Sequence, residues 1–138
     1  MTAGAVINDQ FLLGEALALM ESNLAEPLQI QEVAAYLGIT LKKLERVFAR
    51  AGYKLPARFY LDMRLERARQ LLRDSSLSVD DVSRCCGFRS ASHFSRCFRA
   101  FAGHSPRDER KRSAFAGRRS PEVYRAVCAP VTVLGNGL

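Results

Sequence analysis

The chain has 138 residues, of which 21 are Lys or Arg and 14 are Asp or Glu, so its net charge at neutral pH is +7. A basic excess of this size suggests a polyanionic partner. Hydrophobic residues make up 48% of the chain, which is enough for the core of one or two small domains. The sequence contains no apolar run long enough to span a membrane and no signal peptide at its N-terminus.

Apolar residues recur every three or four positions through most of the chain, a spacing that indicates amphipathic α-helices. Glycines, prolines and capping hydroxyl groups separate these periodic segments. The predicted helices cover 9–25, 30–37, 41–51, 56–73, 78–86, a segment beginning after Ser90 or Ser92, and 106–111. Residues 1–8 are predicted to be unstructured.

Two stretches of the chain resemble one another at an offset of about 50 residues. The first series is Leu28, Val33, Gly38, Leu44, Arg46, Phe48, Gly52 and Pro56. The second series is Leu77, Val82, Gly87, Phe94, Arg96, Phe98, Gly103 and Pro106. In each copy a short helix ends in glycine and another helix follows after a tight turn, which is typical of a helix-turn-helix.

The second helix of each copy divides into an apolar stripe and a polar face. The stripes are Leu44, Val47, Phe48 and Ala51 in the first copy, and Ala91, Phe94, Cys97, Phe98 and Phe101 in the second. The polar faces are Lys42, Glu45, Arg46 and Arg50, and Ser92, Ser95, Arg96 and Arg99. Such groups can bind base edges and phosphates, although a solvated basic face is the simpler interpretation of either helix alone.

The first and fourth predicted helices carry their own apolar stripes. These stripes are Leu13, Ala16, Leu17, Met20 and Leu24, and Leu61, Leu65, Ala68 and Leu72. The arginines around the second stripe are Arg58, Arg64, Arg67, Arg69 and Arg73. We expect these arginines to be solvated or paired with Asp62 and Glu66 at the surface.

The four cysteines show no CxxC pair, which predicts reduced thiols and an intracellular protein. A zinc site from Cys86, His93, Cys97 and His104 is disfavoured because Cys97 lies on an apolar stripe. Cys85 is disfavoured as a nucleophile because the sequence places no histidine near it. We therefore predict no catalytic residue, no metal and no cofactor.

At the level of motifs, the chain resembles the DNA-binding domain of AraC/XylS-type bacterial transcription regulators over about residues 10–112. The resemblance is carried by Arg64 to Leu72 (RLERARQLL), Gly87-Phe88, Ser92 to Arg96 (SHFSR), Phe98, Gly103 and Ser105-Pro106. It implies an all-α fold of about seven helices, with two helix-turn-helix units joined by a long linker helix. The corresponding divisions are 9–55 for the first unit, 56–73 for the linker helix and 74–112 for the second unit. The resemblance does not extend to residues 113–138, whose Gly and Pro residues and lack of a sustained period predict a mobile tail.

The resemblance also implies binding to two successive major-groove segments of double-stranded DNA. Its base-reading faces fall on Lys42, Glu45 and Arg46, and on Ala91, Ser92, Ser95 and Arg96. The side chains assigned to DNA phosphates are Thr40, Lys43, Arg50, Lys54, Arg58, Ser90 and Arg99. Further implied partners are RNA polymerase and either a sensor domain or a separate effector-binding protein, and the implied location is the cytoplasm.

Three other classes of function compete with a sequence-specific regulator. A general or architectural nucleic-acid binder would use the same basic faces without reading sequence. A thiol-dependent repair enzyme would need an activated nucleophile, which the sequence does not indicate. A protein-interaction module would bind no DNA.

Overall fold

The computed structural model describes the backbone of residues 2–113 and the side chains of residues 8–113. Within this part of the chain the regular structure consists of seven α-helices, which confirms the all-α prediction. The helices are α1 (Thr2–Ser22), α2 (Ile30–Tyr36), α3 (Leu41–Arg50), α4 (Pro56–Asp74), α5 (Val79–Cys85), α6 (Ala91–Ala102) and α7 (Pro106–Lys111). The predicted mobile tail lies outside the described residues from position 114 onward.

The helices form two compact units, of which the first contains Met1–Asn23 and Pro27–Leu61. Helices α1, α2 and α3 pack against one another in this unit. Its buried apolar side chains are Leu12, Ala16, Leu19, Met20, Val33, Ala34, Leu44, Val47, Phe48 and Tyr60. The ring of Phe48 meets the rings of Phe59 and Tyr53 edge-on, at centroid distances of 5.7 and 6.1 Å.

Helix α1 differs from its prediction at both ends and in the face that it buries. It begins at Thr2 rather than at residue 9, because each residue added to an existing helix gains a hydrogen bond at little further cost. It ends at Ser22 rather than at residue 25. Leu12 and Leu19 are buried where Leu13 and Leu17 were expected, since the packing direction selects one of two overlapping apolar stripes.

Tyr60 on α4 holds the turn that follows α1. Its hydroxyl donates a hydrogen bond of 2.6 Å to the carbonyl of Asn23 and accepts one of 3.0 Å from the N–H of Leu28. These two bonds satisfy backbone groups on either side of the turn between α1 and α2, which would otherwise lose their partners. The tyrosine is only 4% exposed, so it also fills the core of the first unit.

The second unit contains Leu24–Glu26 and, among the described residues, 62–113. Its buried apolar side chains include Leu65, Ala68, Leu71, Leu72, Val82, Phe88, Phe94 and Phe98. Four of its aromatic rings form a continuous series, with centroids 5.2 Å apart for Phe88 and Phe94, 5.7 Å for Phe94 and Phe98, and 6.4 Å for Phe98 and Phe101. This series runs along the inner face of α6 and fixes which face of that helix points outward.

Three arginines of α4 bind partners that the prediction did not include, although Arg73 stays exposed and Arg69 also pairs with Glu66 at 3.6 Å, as expected. Arg64 and Arg69 are half-buried, and the side chains of Arg64, Arg69 and Arg73 bind groups of the second unit. Within the described residues Cys86 and Cys97 are free thiols. Cys85 is disulfide-bonded, so the prediction of reduced thiols is wrong at this position.

Replacement of Tyr60 by phenylalanine should lower the free energy of unfolding by about 1–3 kcal/mol, because it leaves two part-buried backbone groups without their partner. Tyr53→Phe is the matched control, since this tyrosine is 43% exposed and should cost less than about 0.5 kcal/mol. Urea titration followed by circular dichroism measures both values. Equal stabilities for the two variants would contradict the assigned role of Tyr60.

Candidate nucleic-acid interface

Helices α2 and α3 form the first helix-turn-helix, with Gly38 at the turn in a left-handed conformation of φ +72°. Thr40 caps α3, because its hydroxyl accepts a hydrogen bond of 3.0 Å from the N–H of Lys43. Burial of Leu44, Val47 and Phe48 leaves Lys42 and Arg46 exposed and Glu45 half-buried. These are the three predicted base-reading residues of the first copy. Ala51, expected on the buried face, is instead the exposed C-terminal cap of α3.

The residues predicted to bind phosphate around α3 occupy different environments. Lys54 and Arg58 are exposed, whereas Lys43 is half-buried. The guanidinium of Arg50 forms an ion pair of 2.8 Å with Asp9 of α1. A phosphate at this position would therefore share Arg50 with a carboxylate of the protein.

Helices α5 and α6 form the second helix-turn-helix, with Gly87 at φ +84° in its turn. Ser78 caps α5 by accepting from the N–H of Asp81, and Ser90 caps α6 by accepting a bond of 3.2 Å from the N–H of His93. Burial of the aromatic series leaves Ser92 and Arg96 exposed, with Ala91 and Ser95 half-buried. The hydroxyl of Ser90 thus accepts a hydrogen bond from the backbone of α6, although Ser90 is exposed to solvent.

A hollow of about 670 Å³ lies between α5, α6 and the start of α7. It is lined by Val79, Asp80, Ala91, Ser92, Ser95, Arg96, Arg99, Ser105, Pro106 and Arg107. The structure therefore brings all four predicted base-reading residues of α6 together with Arg99. It also adds Arg107, which the sequence analysis missed because the short helix α7 shows no extended periodicity.

The charges around this hollow favour an anion. Asp80 is the only acidic residue among its lining residues, and its carboxylate is paired with Arg84 at 2.7 Å. Arg84 also binds Asp81, and the negative charge of Asp80 raises the pKa of the Arg84 guanidinium. The guanidinium groups of Arg96, Arg99 and Arg107 therefore dominate the field inside the hollow.

Glu109 fastens α7, and with it Arg107, to α4. Its carboxylate is fully buried and lies 2.5 Å from Nε of Arg73, 2.6 Å from Nε2 of His104 and 3.7 Å from Nε of Arg69. The guanidinium of Arg69 also lies 5.0 Å from the ring centroid of Phe101 on α6. This cluster escaped the sequence analysis, because a single glutamate among basic residues shows no periodic signal.

Opposing influences set the pKa of Glu109. Burial is the largest of them and raises the pKa, because it disfavours the charged carboxylate. Hydrogen bonds from His104 and Arg73, together with the charges of Arg73 and Arg69, outweigh burial and hold the pKa below its ordinary value. Glu109 is therefore an anion at neutral pH.

The cysteine and histidine side chains considered for catalysis or metal binding lie in environments that do not favour either role. Burial raises the pKa of the Cys86 thiol to about 12, so this group is a neutral thiol. The sulfur of Cys97 lies 3.4 Å from Nε2 of His93 on the same helix. In residues 8–113, no cluster of three or more His, Cys, Asp or Glu side chains is placed to hold a metal ion. None of the described helices is long and apolar enough to cross a membrane.

Comparison with known proteins finds a matching domain family and several similar transcriptional regulators. A family model described as a helix-turn-helix domain matches residues 33–112. The HTH-type transcriptional regulator GbdR of Pseudomonas aeruginosa strain UCBPP-PA14 is 48% identical over 99 residues, which are 72% of this chain and 27% of GbdR. The regulator ArgR of Pseudomonas aeruginosa is 37% identical over 119 residues, or 86% of this chain and 35% of ArgR. The chain thus spans about a quarter to a third of the length of these relatives.

Solved structures give the same result for the fold. A transcriptional regulator from Chromobacterium violaceum, described as of the AraC-type DNA-binding domain-containing proteins, matches with a TM-score of 0.71 and 38% identity. The match covers 83% of this chain and 99% of that one. The DNA-binding domain of AdpA, solved in complex with a target DNA, matches with a TM-score of 0.69 and 31% identity over 78% of this chain and 95% of that one.

The ion pairs of Glu109 with Arg69, Arg73 and His104 should make the free energy of unfolding fall in acid. Because the folded-state pKa lies below the unfolded value of about 4.3, the stabilisation is complete above that value and is lost as the pH falls through the folded pKa. Glu109→Gln should lower the free energy of unfolding by about 1–3 kcal/mol at neutral pH and reduce its decline in acid.

Urea titrations between about pH 3 and pH 7 measure this effect. Glu66→Gln is the matched control, because Glu66 is half-exposed and lies 3.6 Å from Arg69 at the surface. We expect the control to behave as the parent protein does. An unchanged acid decline in Glu109→Gln would show that the cluster does not contribute to it.

Proposed function

The chain belongs to the AraC family of helix-turn-helix transcription regulators, and we propose that it reads two successive major-groove segments of double-stranded DNA with α3 and α6. The observation that carries this proposal is the repetition of one helix-turn-helix with one register of exposed side chains. Arg46 and Arg96 hold equivalent, exposed places on the two helices. The family consists of DNA-binding regulators, and the chain acts in that class rather than as an enzyme.

The exposed faces offer the groups that base edges require. The guanidinium of Arg46 or Arg96 can donate to O6 and N7 of a guanine together. Glu45 can accept from N4 of a cytosine, and Lys42, Ser92 and Ser95 add single hydrogen bonds. Ala91 presents a methyl group that suits contact with the methyl group of thymine.

Contacts to phosphate would orient these two faces without specifying sequence. We assign this role to Thr40, Lys43, Arg50, Lys54, Arg58, Ser90 and Arg99, and we add Arg107 because it lines the hollow beside Arg96 and Arg99. In this arrangement α4 is the linker between a first reading unit over 9–55 and a second over 74–112.

Regulation would require partners beyond DNA. We propose a cytoplasmic activator that contacts RNA polymerase, and two relatives of this chain, RhaS of Klebsiella pneumoniae and NphR of Rhodococcus, are named as activators. Control by a small molecule would come from a sensor domain or from a separate effector-binding protein. Transcription from a selected promoter, reconstituted with purified polymerase, tests the activating role.

DNA affinity should fall steeply as salt is added, because each neutralised phosphate releases counterions. We expect a slope of about −0.9 for each phosphate contact in a plot of log affinity against log salt concentration. Fluorescence anisotropy with a labelled duplex, between about 50 and 200 mM salt, measures the slope. An affinity that does not change over this range would overturn the proposal of nucleic-acid binding.

Substitution of the two equivalent arginines should affect opposite ends of the binding site. Arg46→Ala should relax base preference in one segment and Arg96→Ala in the other, each at a cost of about 1–3 kcal/mol if the arginine pairs with guanine. Selection of binding sites from random duplexes on each purified variant measures this preference, with folding checked by circular dichroism.

Arg112→Ala is the control for these variants, because Arg112 is exposed at the opposite end of α7 from Arg107. It should produce a small and uniform loss of affinity. A uniform loss in Arg46→Ala and Arg96→Ala as well would mean that both arginines bind phosphate only. Selection of no preferred sequence by the parent protein would favour a general nucleic-acid binder.

A further inference from the structure

Arg64 of α4 holds the turn of the second helix-turn-helix. Its Nε donates a hydrogen bond of 2.8 Å to the carbonyl of Cys86, and one terminal nitrogen donates a bond of 3.0 Å to the carbonyl of Gly87. Carbonyl groups at the end of a helix have no partner within the helix and carry partial negative charge. A planar guanidinium that reaches two of them at once therefore fixes the position of the turn.

The same guanidinium fixes the first residue after the turn. Its central carbon lies 4.3 Å from the ring centroid of Phe88, a distance at which a cation is attracted to an aromatic face. The Phe88 ring lies 5.2 Å from Phe94 and 5.6 Å from His93, both on α6. Phe88 and Phe94 are buried, so a displacement of Phe88 would be transmitted to α6 through packed rings.

The reading face of α6 is sensitive to such a displacement. Successive residues of a helix are separated by about 100°, so a modest rotation of α6 about its axis moves Ser92, Ser95 and Arg96 away from their base edges. Displacements of about 1 Å are enough to lengthen a hydrogen bond beyond its useful range. The contacts of Arg64 thus bear directly on which bases α6 can reach.

We propose that Arg64 is a positioning residue that sets the orientation of α6 and thereby the base preference of the second DNA segment alone. The proposal rests on the proposed function, since it assumes that α6 reads bases. It also assigns Arg64 a role different from that of the other basic residues, because its donors face protein carbonyls rather than solvent.

Arg67 provides a matched control on the same helix. It is half-buried like Arg64, and in residues 8–113 it donates no hydrogen bond to the turn. Arg64→Met and Arg67→Met remove the same charge and introduce the same side chain. Any difference between them therefore reports the contacts of Arg64 rather than the net charge of the protein.

The experiment uses three duplexes derived from the site selected by the parent protein: the intact site, one with the first segment scrambled and one with the second segment scrambled. The ratio of affinities for the intact and scrambled duplexes measures preference in each segment. We expect Arg64→Met to lose about tenfold of its preference in the second segment, the scale of one lost base contact, and to keep its preference in the first. Arg67→Met should weaken binding to all three duplexes alike.

Arg64→Lys keeps the experiment decisive if Arg64→Met does not fold. Lysine retains the charge and one donor but lacks the planar fork and the stacking surface, so it should show a smaller loss confined to the second segment. Each variant is assayed at a temperature at which circular dichroism shows the same helix content as in the parent protein.

Three results would overturn the proposal: a folded Arg64→Lys with parental preference in the second segment, an equal loss in both segments, or the same pattern in Arg64→Met and Arg67→Met. A parent protein that shows no preference in either segment would instead refute the proposed function.

Discussion

Helices of six or seven residues are not stable on their own in water, and this constraint shapes the whole chain. Helices α2 and α5 have 7 residues each and α7 has 6. Helices α2 and α5 support the proposed DNA-reading helices α3 and α6, and α7 carries Arg107. All three short helices therefore need tertiary contacts to remain folded. Much of this support comes from polar side chains of α4 that bind backbone carbonyls, backbone N–H groups or a buried carboxylate.

The support differs in kind between the two units. In the first unit the neutral hydroxyl of Tyr60 joins the end of α1 to the segment leading into α2. In the second unit the cations Arg64, Arg69 and Arg73 bind the carbonyls of the α5–α6 turn and the buried carboxylate of Glu109. Hydrogen bonds that involve a charged group are roughly twice as strong as neutral ones, and the double contact of Arg64 with the turn adds geometric specificity.

Arginine has two opposite uses in this protein, and burial distinguishes them. Arg64 and Arg69 are half-buried and bind protein groups. Arg46 and Arg96 are exposed on the outward faces of α3 and α6. The net charge of +7 counts both kinds alike. The charge available to DNA is therefore smaller than the number of arginines suggests.

The sequence by itself determined the existence and order of the helices, the two repeats and the outward faces of α3 and α6. These features follow from local periodicity, from capping residues such as Thr40 and Ser105, and from glycines that adopt positive φ in the turns. Tertiary structure alone decided that α1 buries Leu12 and Leu19, that Arg64 and Arg69 act within the protein, and that Arg107 joins the α6 face. Periodicity reports which residues share a face of one helix, but only packing between helices decides which of those faces and which charged groups meet.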